Sequence, residues 1–237
     1  MVQYTECRSI SDVSIISDIP DSENLAFRID PSDTASLTTS DDEITQIDDL
    51  SGNNLHLDDG SLSGTADING LQALDVEKGD QLLRNPFGLD VEHPFSLYYA
   101  AEMRSDQSPT DSRLVILGGA DEGGSVWRTG TRENTDESKM NAGETVQTSH
   151  EMQNPTVRGD IFDGGNSELW INGSQEATGD AGSREQDSDE EFGIAKPAGS
   201  TPENQPAMKL GEVLLYNAKH DSETTEKVFD YLSRWLP

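Results

Sequence analysis

Between residues 25 and 216 this chain is a succession of short apolar or alternating runs cut by Gly, Asp and Asn, with no helical period among them. Such a pattern leaves sheet as the regular structure open to most of the chain. In Phe95–Met103 the side chains of Phe95, Leu97, Tyr99, Ala101 and Met103 share one face, which predicts a strand with one buried side. Residues 114–117 are apolar on both faces, as in a central strand covered from two sides, and Gly118-Gly119 is expected to close it. Further strands are predicted over Leu25–Ile29, Leu71–Val76, Thr156–Phe162 and residues 124–128, 144–149, 192–195 and 209–216. Residues 168–171 run into Asn172-Gly173, a strong hairpin signal because both turn positions take positive φ. Segments 130–142 and 179–191 are polar and charged, and are expected to be exposed loops.

Only the C-terminal stretch reads as helix. Asp221 or Ser222 can serve as N-cap, Glu223 sits in the first turn four residues before Lys227, and Val228, Leu232 and Trp235 form an apolar stripe. Many short strands without alternating helices exclude a doubly wound sheet. The expected fold is all-β: a two-sheet antiparallel β-sandwich of jelly-roll type with a C-terminal α-helix docked on it. Residues 24–237 form that domain, and residues 1–23 are left as an N-terminal arm or anchor. Cys7 is the only cysteine, so no internal disulfide can staple the fold.

The 46 acidic side chains outnumber 16 basic ones and leave a formal net charge of -30, spread along the whole chain. Self-repulsion on that scale opposes compaction in dilute solution, whereas at 1 M salt the Debye length shrinks to about 3 Å. A surface adapted to concentrated salt follows. Acidic disorder would lack the strand-forming runs, and a surface made for one basic partner would concentrate the charge. Nucleic acid is excluded as a partner because no basic face is available. Residues 1–20 carry no basic and apolar signal segment, and no apolar run reaches the roughly 18 residues of a membrane span, so neither Sec export nor membrane insertion is expected.

Several blocks in order then match a known pattern. Leu25-Ala26-Phe27-Arg28-Ile29-Asp30-Pro31-Ser32-Asp33 is followed by residues 44–57, where the pattern usually has an aromatic residue in place of Ile47. Leu71-Gln72-Ala73-Leu74-Asp75-Val76 leads through Gly79-Asp80 to Gln81-Leu82-Leu83. Glu168-Leu169-Trp170-Ile171-Asn172-Gly173-Ser174, Phe192-Gly193-Ile194 and the final run from Leu210 through Tyr216 to Trp235 complete the series. In this order and spacing the chain resembles the laminin-G-like, concanavalin A-like module common in phage structural proteins and bacterial surface proteins. That resemblance implies a β-sandwich that displays loops, often for carbohydrate or cell-surface contact, without fixing a ligand.

For carbohydrate contact the candidates are Trp127, Arg128 and Arg132. An aromatic ring there could stack on a sugar face while Arg forks to a carboxylate or sulfate. The bland reading puts Trp127 in the core and leaves both Arg residues neutralising nearby acids, and Trp170 and Trp235 are read as core. Glu185, Asp187 and Glu190 match the E-x-D-x-x-E spacing of some sandwich glycosidases, but polar neighbours place them on a solvated loop. No catalytic residue and no dedicated metal site is assigned. Asp58-Asp59, Asp121-Glu122 and the pair Asp160 and Asp163 offer oxygen ligands of the kind Ca²⁺ or other cations take, without EF-hand spacing, and the four His residues lack zinc spacing. Asn172-Gly173-Ser174 is an N-glycosylation sequon on a turn.

These readings converge on an expectation of a non-enzymatic structural protein on the outside of a virus of a halophilic host, as a capsid decoration, turret or tail-fibre component. Residues 1–23 would anchor it to other virion proteins, with Val13, Ile15 and Ile16 adding a strand to a neighbour. A homo-oligomer and a host surface glycan or glycoprotein are its expected partners. A host carbohydrate-binding module and a glycoside hydrolase are the competing classes.

Overall fold

The alternating runs pair into antiparallel sheets in the computed structural model, which describes residues 19–104, 114–121, 124–131, 137–195 and 207–237. In chain order the strands are β1 (Leu25–Ile29), β2 (Leu37–Ser40), β3 (Glu43–Ile47), β4 (Asp59–Ser61), β5 (Gly64–Ile68) and β6 (Leu71–Val76). Then come β7 (Gln81–Arg84), β8 (Phe95–Met103), β9 (Leu114–Asp121), β10 (Gly124–Thr131), β11 (Glu137–Asn141) and β12 (Thr145–Glu151). The set closes with β13 (Thr156–Phe162), β14 (Ser167–Ile171), β15 (Ser174–Gly179), β16 (Glu191–Ile194), β17 (Met208–Tyr216) and the helix α1 (Ser222–Leu232).

Among the described residues one sheet has the order β15-β14-β13-β8-β17-β6-β5, with β1 also on β17. Two strands share that edge because β17 bulges between Leu210 and Val213: β6 pairs with residues 208–210 and β1 with residues 213–216. The opposing sheet runs β12-β11-β10-β9-β16-β7-β4, and β2 with β3 forms a small hairpin. This is a sandwich of antiparallel sheets, as the sequence pattern implies. Its interior is aromatic: Phe95 stacks on Phe162 at 4.5 Å, Phe87 on Phe192 at 4.4 Å, and Trp127 reaches Phe95, Phe162 and Phe192 at 5.1, 5.8 and 6.0 Å.

A second apolar cluster lies on the opposite face of the first sheet. Tyr98, Ala100, Val157, Ile161, Trp170 and Leu214 are buried there together with Val228, Phe229, Leu232 and Trp235 of the C-terminal segment. Strand β8 is therefore buried on both faces, not on one as its alternation suggested, because the helix covers the second. Asp221 caps α1 by accepting from Thr224 N at 2.8 Å, and Lys227 pairs with Glu223 at 2.7 Å. Two glycines let this layer sit close to the sheet. A Cβ on Gly211 would stand 2.9 Å from the Trp235 ring, and one on Gly159 would stand 2.8 Å from Tyr98 and 3.2 Å from Phe229. We expect Gly211→Val to push Trp235 out of contact and cost about 1–3 kcal/mol, the usual toll of overpacking. Urea denaturation, with Trp235 emission as reporter, checks it; an unchanged midpoint would show that the helix layer can shift freely.

Other expectations are corrected. Gly118-Gly119 does not end β9, which continues to Asp121; a Cβ on Gly118 would stand 2.3 Å from the Trp127 ring, so the glycine makes room for the tryptophan. Segment 130–142 is not an exposed loop throughout, since it contains β11 with Ser138 and Met140 fully buried. Segment 179–191 buries Ala181 and Gln186, and Gln186 bridges to Val91. Ile19 packs in the helix-side cluster and Asp21 accepts from His220 Nε2 at 3.1 Å, so these two residues of the expected arm pack on the domain. Cys7, Val13, Ile15 and Ile16 lie outside the described residues.

Two buried ionic clusters tie the layers together. From β13, Arg158 donates to Asp160 at 3.0 Å and to the carbonyls of Gly130 and Lys139 in the opposing sheet at 2.6 and 2.5 Å. Thr129 donates to the other Asp160 oxygen and bonds Tyr99 Oη at 2.9 Å. At the helix side Arg28 bonds Glu212 at 2.8 Å and Asp30 at 3.1 Å, and Arg234 reaches the same two carboxylates at 2.5 and 2.8 Å. Burial works against an ionised Asp30, but Ser32 and the guanidinium groups of Arg234 and Arg28 hold its carboxyl below the usual range.

Candidate functional site

A cleft of about 410 Å³ opens at the end of the first sheet where β8 begins and β17 finishes. Leu89, Asp90, Glu92, His93, Pro94 and Asn217 line it. The segment that carries most of them is pinned from beneath. Phe87 N donates to Glu190 O at 2.8 Å, Gly88 N to Ser188 O at 2.7 Å and Val91 N to Gln186 O at 2.8 Å, while the Phe87 and Val91 side chains are fully buried. Asp90 lies between these anchors and Glu92 just past the last of them, and both are exposed to solvent.

The polar atoms of the cleft have distinct states. Asp90 Oδ1 accepts from Ser188 N at 2.7 Å, and that bond orients the carboxylate. His93 Nε2 lies 3.0 Å from Arg184 O. A carbonyl only accepts, so Nε2 carries a proton; Nδ1 is buried and has no protein partner among the described residues. The ring is steadied edge-on by Phe95 at 5.2 Å and Phe162 at 6.2 Å. Asn217 is exposed, and its backbone N donates to Asn24 O at 3.1 Å. Two carboxylates and one carboxamide beside the His93 ring, Leu89 and Pro94 make a lining rich in acceptors with a small apolar wall.

Trp127 faces the inter-sheet core with no exposure, so its ring cannot stack on a sugar, which corrects the role considered for it. Its alternation partner Arg128 lies on the outer face of the second sheet, half-buried and paired in register with Asn141. Arg132 falls outside the described residues. Neither Trp127 nor Arg128 lines the cleft. Glu185 and Asp187 are exposed on the loop that follows Gly182, and Glu190 Oε2 accepts from Asp187 N at 2.9 Å, which is a turn contact. No strand holds that motif, so it lacks the rigid face that paired carboxylate chemistry needs. Asp160 is enclosed by Arg158 and Thr129, and Asp163 pairs with Lys219 at 2.6 Å. Among the described residues no cluster of three or more metal-ligating side chains forms.

The cleft residues carried a sequence signal that strand and motif reasoning passed over. Asn85-Pro86 and His93-Pro94 frame a turn-rich segment, and both peptide bonds are cis. A loop fixed at both ends between two strands is a common place for binding side chains.

Comparison with known proteins adds the fold and little more. The sequence matches no profile of a known protein family and no curated protein. Among solved structures, the chain is similar to the binding domain of Paraclostridial Mosquitocidal Protein 1, with a TM-score of 0.64 at 14% identity over 89% of this chain and 53% of that one. The receptor binding domain of botulinum neurotoxin type G gives 0.62 at 9% identity over 88% and 51%. Trypanosoma rangeli sialidase gives 0.60 at 12% identity over 90% and 33%. This chain thus spans between a third and about half of each of those chains. At such identities the likeness is one of fold, that of β domains seen in binding proteins and in an enzyme alike.

Proposed function

We propose that this chain is a lectin-like binding module of concanavalin A-like jelly-roll type that takes neutral, hydroxyl-rich saccharides in the Asp90–Asn217 cleft. The acceptor-rich lining carries the reading: the Asp90 and Glu92 carboxylates receive hydroxyl protons, the Asn217 carboxamide supplies both donor and acceptor, and Leu89 and Pro94 meet the apolar face of a ring. The same carboxylates, in a chain of net charge -30, oppose anionic sugars. Two of the similar structures are binding domains, and the fold they share with this chain is compatible with display of such a cleft. Binding rather than hydrolysis is favoured because Asp90 and Glu92 are exposed side chains on a loop, without the enclosed, unlike environments that paired acid and base groups require.

The module works, in this reading, on the exterior of a virus particle of a halophilic host, where it meets host surface glycans or glycoproteins and neighbouring copies of itself. Dispersed acidity supports the saline setting. Glycan arrays probed in concentrated salt test the cleft. Neutral glycans should be retained, and Asp90→Ala combined with Asn217→Ala should weaken retention at least tenfold, about 1.4 kcal/mol. Equal retention by the variant would remove the cleft from the reading, and retention of no glycan would end it. Mass spectrometry of purified particles tests the compartment: absence of this chain would sink the virion assignment.

A further inference from the structure

We propose that Asn172 is an attachment site for an N-linked glycan. Asn172-Gly173-Ser174 is the one Asn-x-Ser/Thr triplet in the sequence whose middle residue is not Pro; Asn154-Pro155-Thr156 is excluded by its proline. The triplet forms the turn between β14 and β15, with φ of 50° at Asn172 and 82° at Gly173, and all three residues are exposed. What the fold does with the Asn172 side chain is the second observation. Asn172 N donates to Val157 O at 2.8 Å, and Val157 N donates back to Asn172 Oδ1 at 2.8 Å. The carboxamide oxygen is thereby committed to the neighbouring strand. Its nitrogen, Nδ2, is the atom left without a bond in the described residues and the one to which a glycan would be joined.

The surroundings have room for it. A Cβ on Gly173 would find Phe229 at 4.0 Å as its nearest neighbour, so nothing crowds the turn. Both Val157 bonds use atoms other than Nδ2 and persist when Nδ2 is substituted. The turn also stands clear of the cleft. Val157 pairs with Ala100 and Phe162 with Phe95, so the five-residue step along β13 separates the two ends by about 17 Å. A glycan on Asn172 would instead flank β15, which is the edge of its sheet, exposed along most of its length. A bulky hydrophilic chain there guards an unpaired strand against pairing with another copy.

The step is a group transfer from a nucleotide-activated saccharide, which requires no export of the chain. Asn172 Nδ2 attacks the anomeric carbon, the bond from that carbon to the phosphate oxygen breaks, the nucleoside diphosphate leaves with the electron pair, and Nδ2 loses one proton. This inference is independent of the cleft and goes beyond it.

The protein isolated from its native source is cut with trypsin, and the peptide of residues 159–184, which contains no internal Lys or Arg, is weighed and fragmented. The expected result is a saccharide mass localised to Asn172. It should vanish in Ser174→Ala, which breaks the triplet but keeps Asn172 and its bonds to Val157, and that variant should retain the thermal midpoint of the unmodified chain. Native peptide at its bare mass overturns the proposal. So does a gain no larger than that of deamidation, to which Asn-Gly is prone, or a saccharide that persists in Ser174→Ala.

Discussion

Asp160→Ala should lower the stability of the folded chain by about 3–5 kcal/mol, the typical toll of leaving a buried charge without its partner. Arg158 and Asp160 are both fully buried, and they sit between the two sheets rather than at an edge. Burial opposes the Arg158 charge and Asp160 offsets it, holding the guanidinium above its ordinary range; an arginine does not give up its proton near neutral pH, so it stays charged when the carboxylate is removed. Burial pushes the Asp160 carboxyl upward, against the pull of Arg158 and Thr129. Its removal strands Arg158 Nε and deprives Thr129 of its acceptor, while the bonds to Gly130 and Lys139 carbonyls cannot neutralise the charge. Urea denaturation is the measurement. A second variant separates loss of a pair from general damage: Asp160→Leu with Arg158→Met replaces the pair by apolar groups and should recover much of the deficit. A double variant as unstable as Asp160→Ala would show that these positions tolerate no repacking, and an unaltered single variant would show that the pair holds nothing.

That cluster explains part of what could and could not be read beforehand. The strands that proved legible are those with apolar demand from a core: Leu25–Ile29, Leu71–Val76, Phe95–Met103 and Thr156–Phe162 run as their sequences predict, and the runs at 192–195 and 209–216 fall on β16 and β17. The hairpin at Asn172-Gly173 was legible because only a few residues accept positive φ at both positions. Strands β2, β3, β4, β5 and β15 were missed, since they are short, largely polar and half or fully exposed, and their pairing partners rather than their own residues make them strands. Strand β11 was read as loop because its buried positions are Ser138 and Met140, which give too weak a period.

Chemistry was less legible than fold. Arg158 and Asp160 occupy alternate positions of β13 and share its inward face, yet nothing in the sequence says that an inward face will hold an ion pair. Trp127 drew attention through its neighbouring arginines, and the structure turns it inward because Gly118 on the adjacent strand leaves a space its ring fills. The cleft lining depends on two loops, residues 85–94 and 183–190, meeting through backbone bonds between positions almost a hundred residues apart. Contacts of that kind leave no local trace.

Raising chloride concentration from 0.2 to 2 M should raise the unfolding free energy by about 3 kcal/mol or more, which corresponds to a shift of about 6–12 °C in Tm for a domain of this size. The charge of -30 is the cause. Exposed carboxylates within a Debye length repel one another, and that length falls from about 8 Å near physiological salt to about 3 Å at 1 M. Expansion on unfolding relieves the repulsion, so screening favours the folded state. Chloride is the appropriate salt, since sulfate would also strengthen burial of apolar surface and confuse two causes. The buried pairs behave differently because they are shielded from mobile ions: the deficit of Asp160→Ala should be nearly equal at 0.2 and 2 M while both proteins gain stability together. A thermal midpoint indifferent to chloride would mean that the acidic surface is neutralised in some other way, and the saline setting would lose its physical support. A deficit that shrinks with salt would mean that water and ions reach Arg158, so that the cluster between the sheets is wetter than its burial implies.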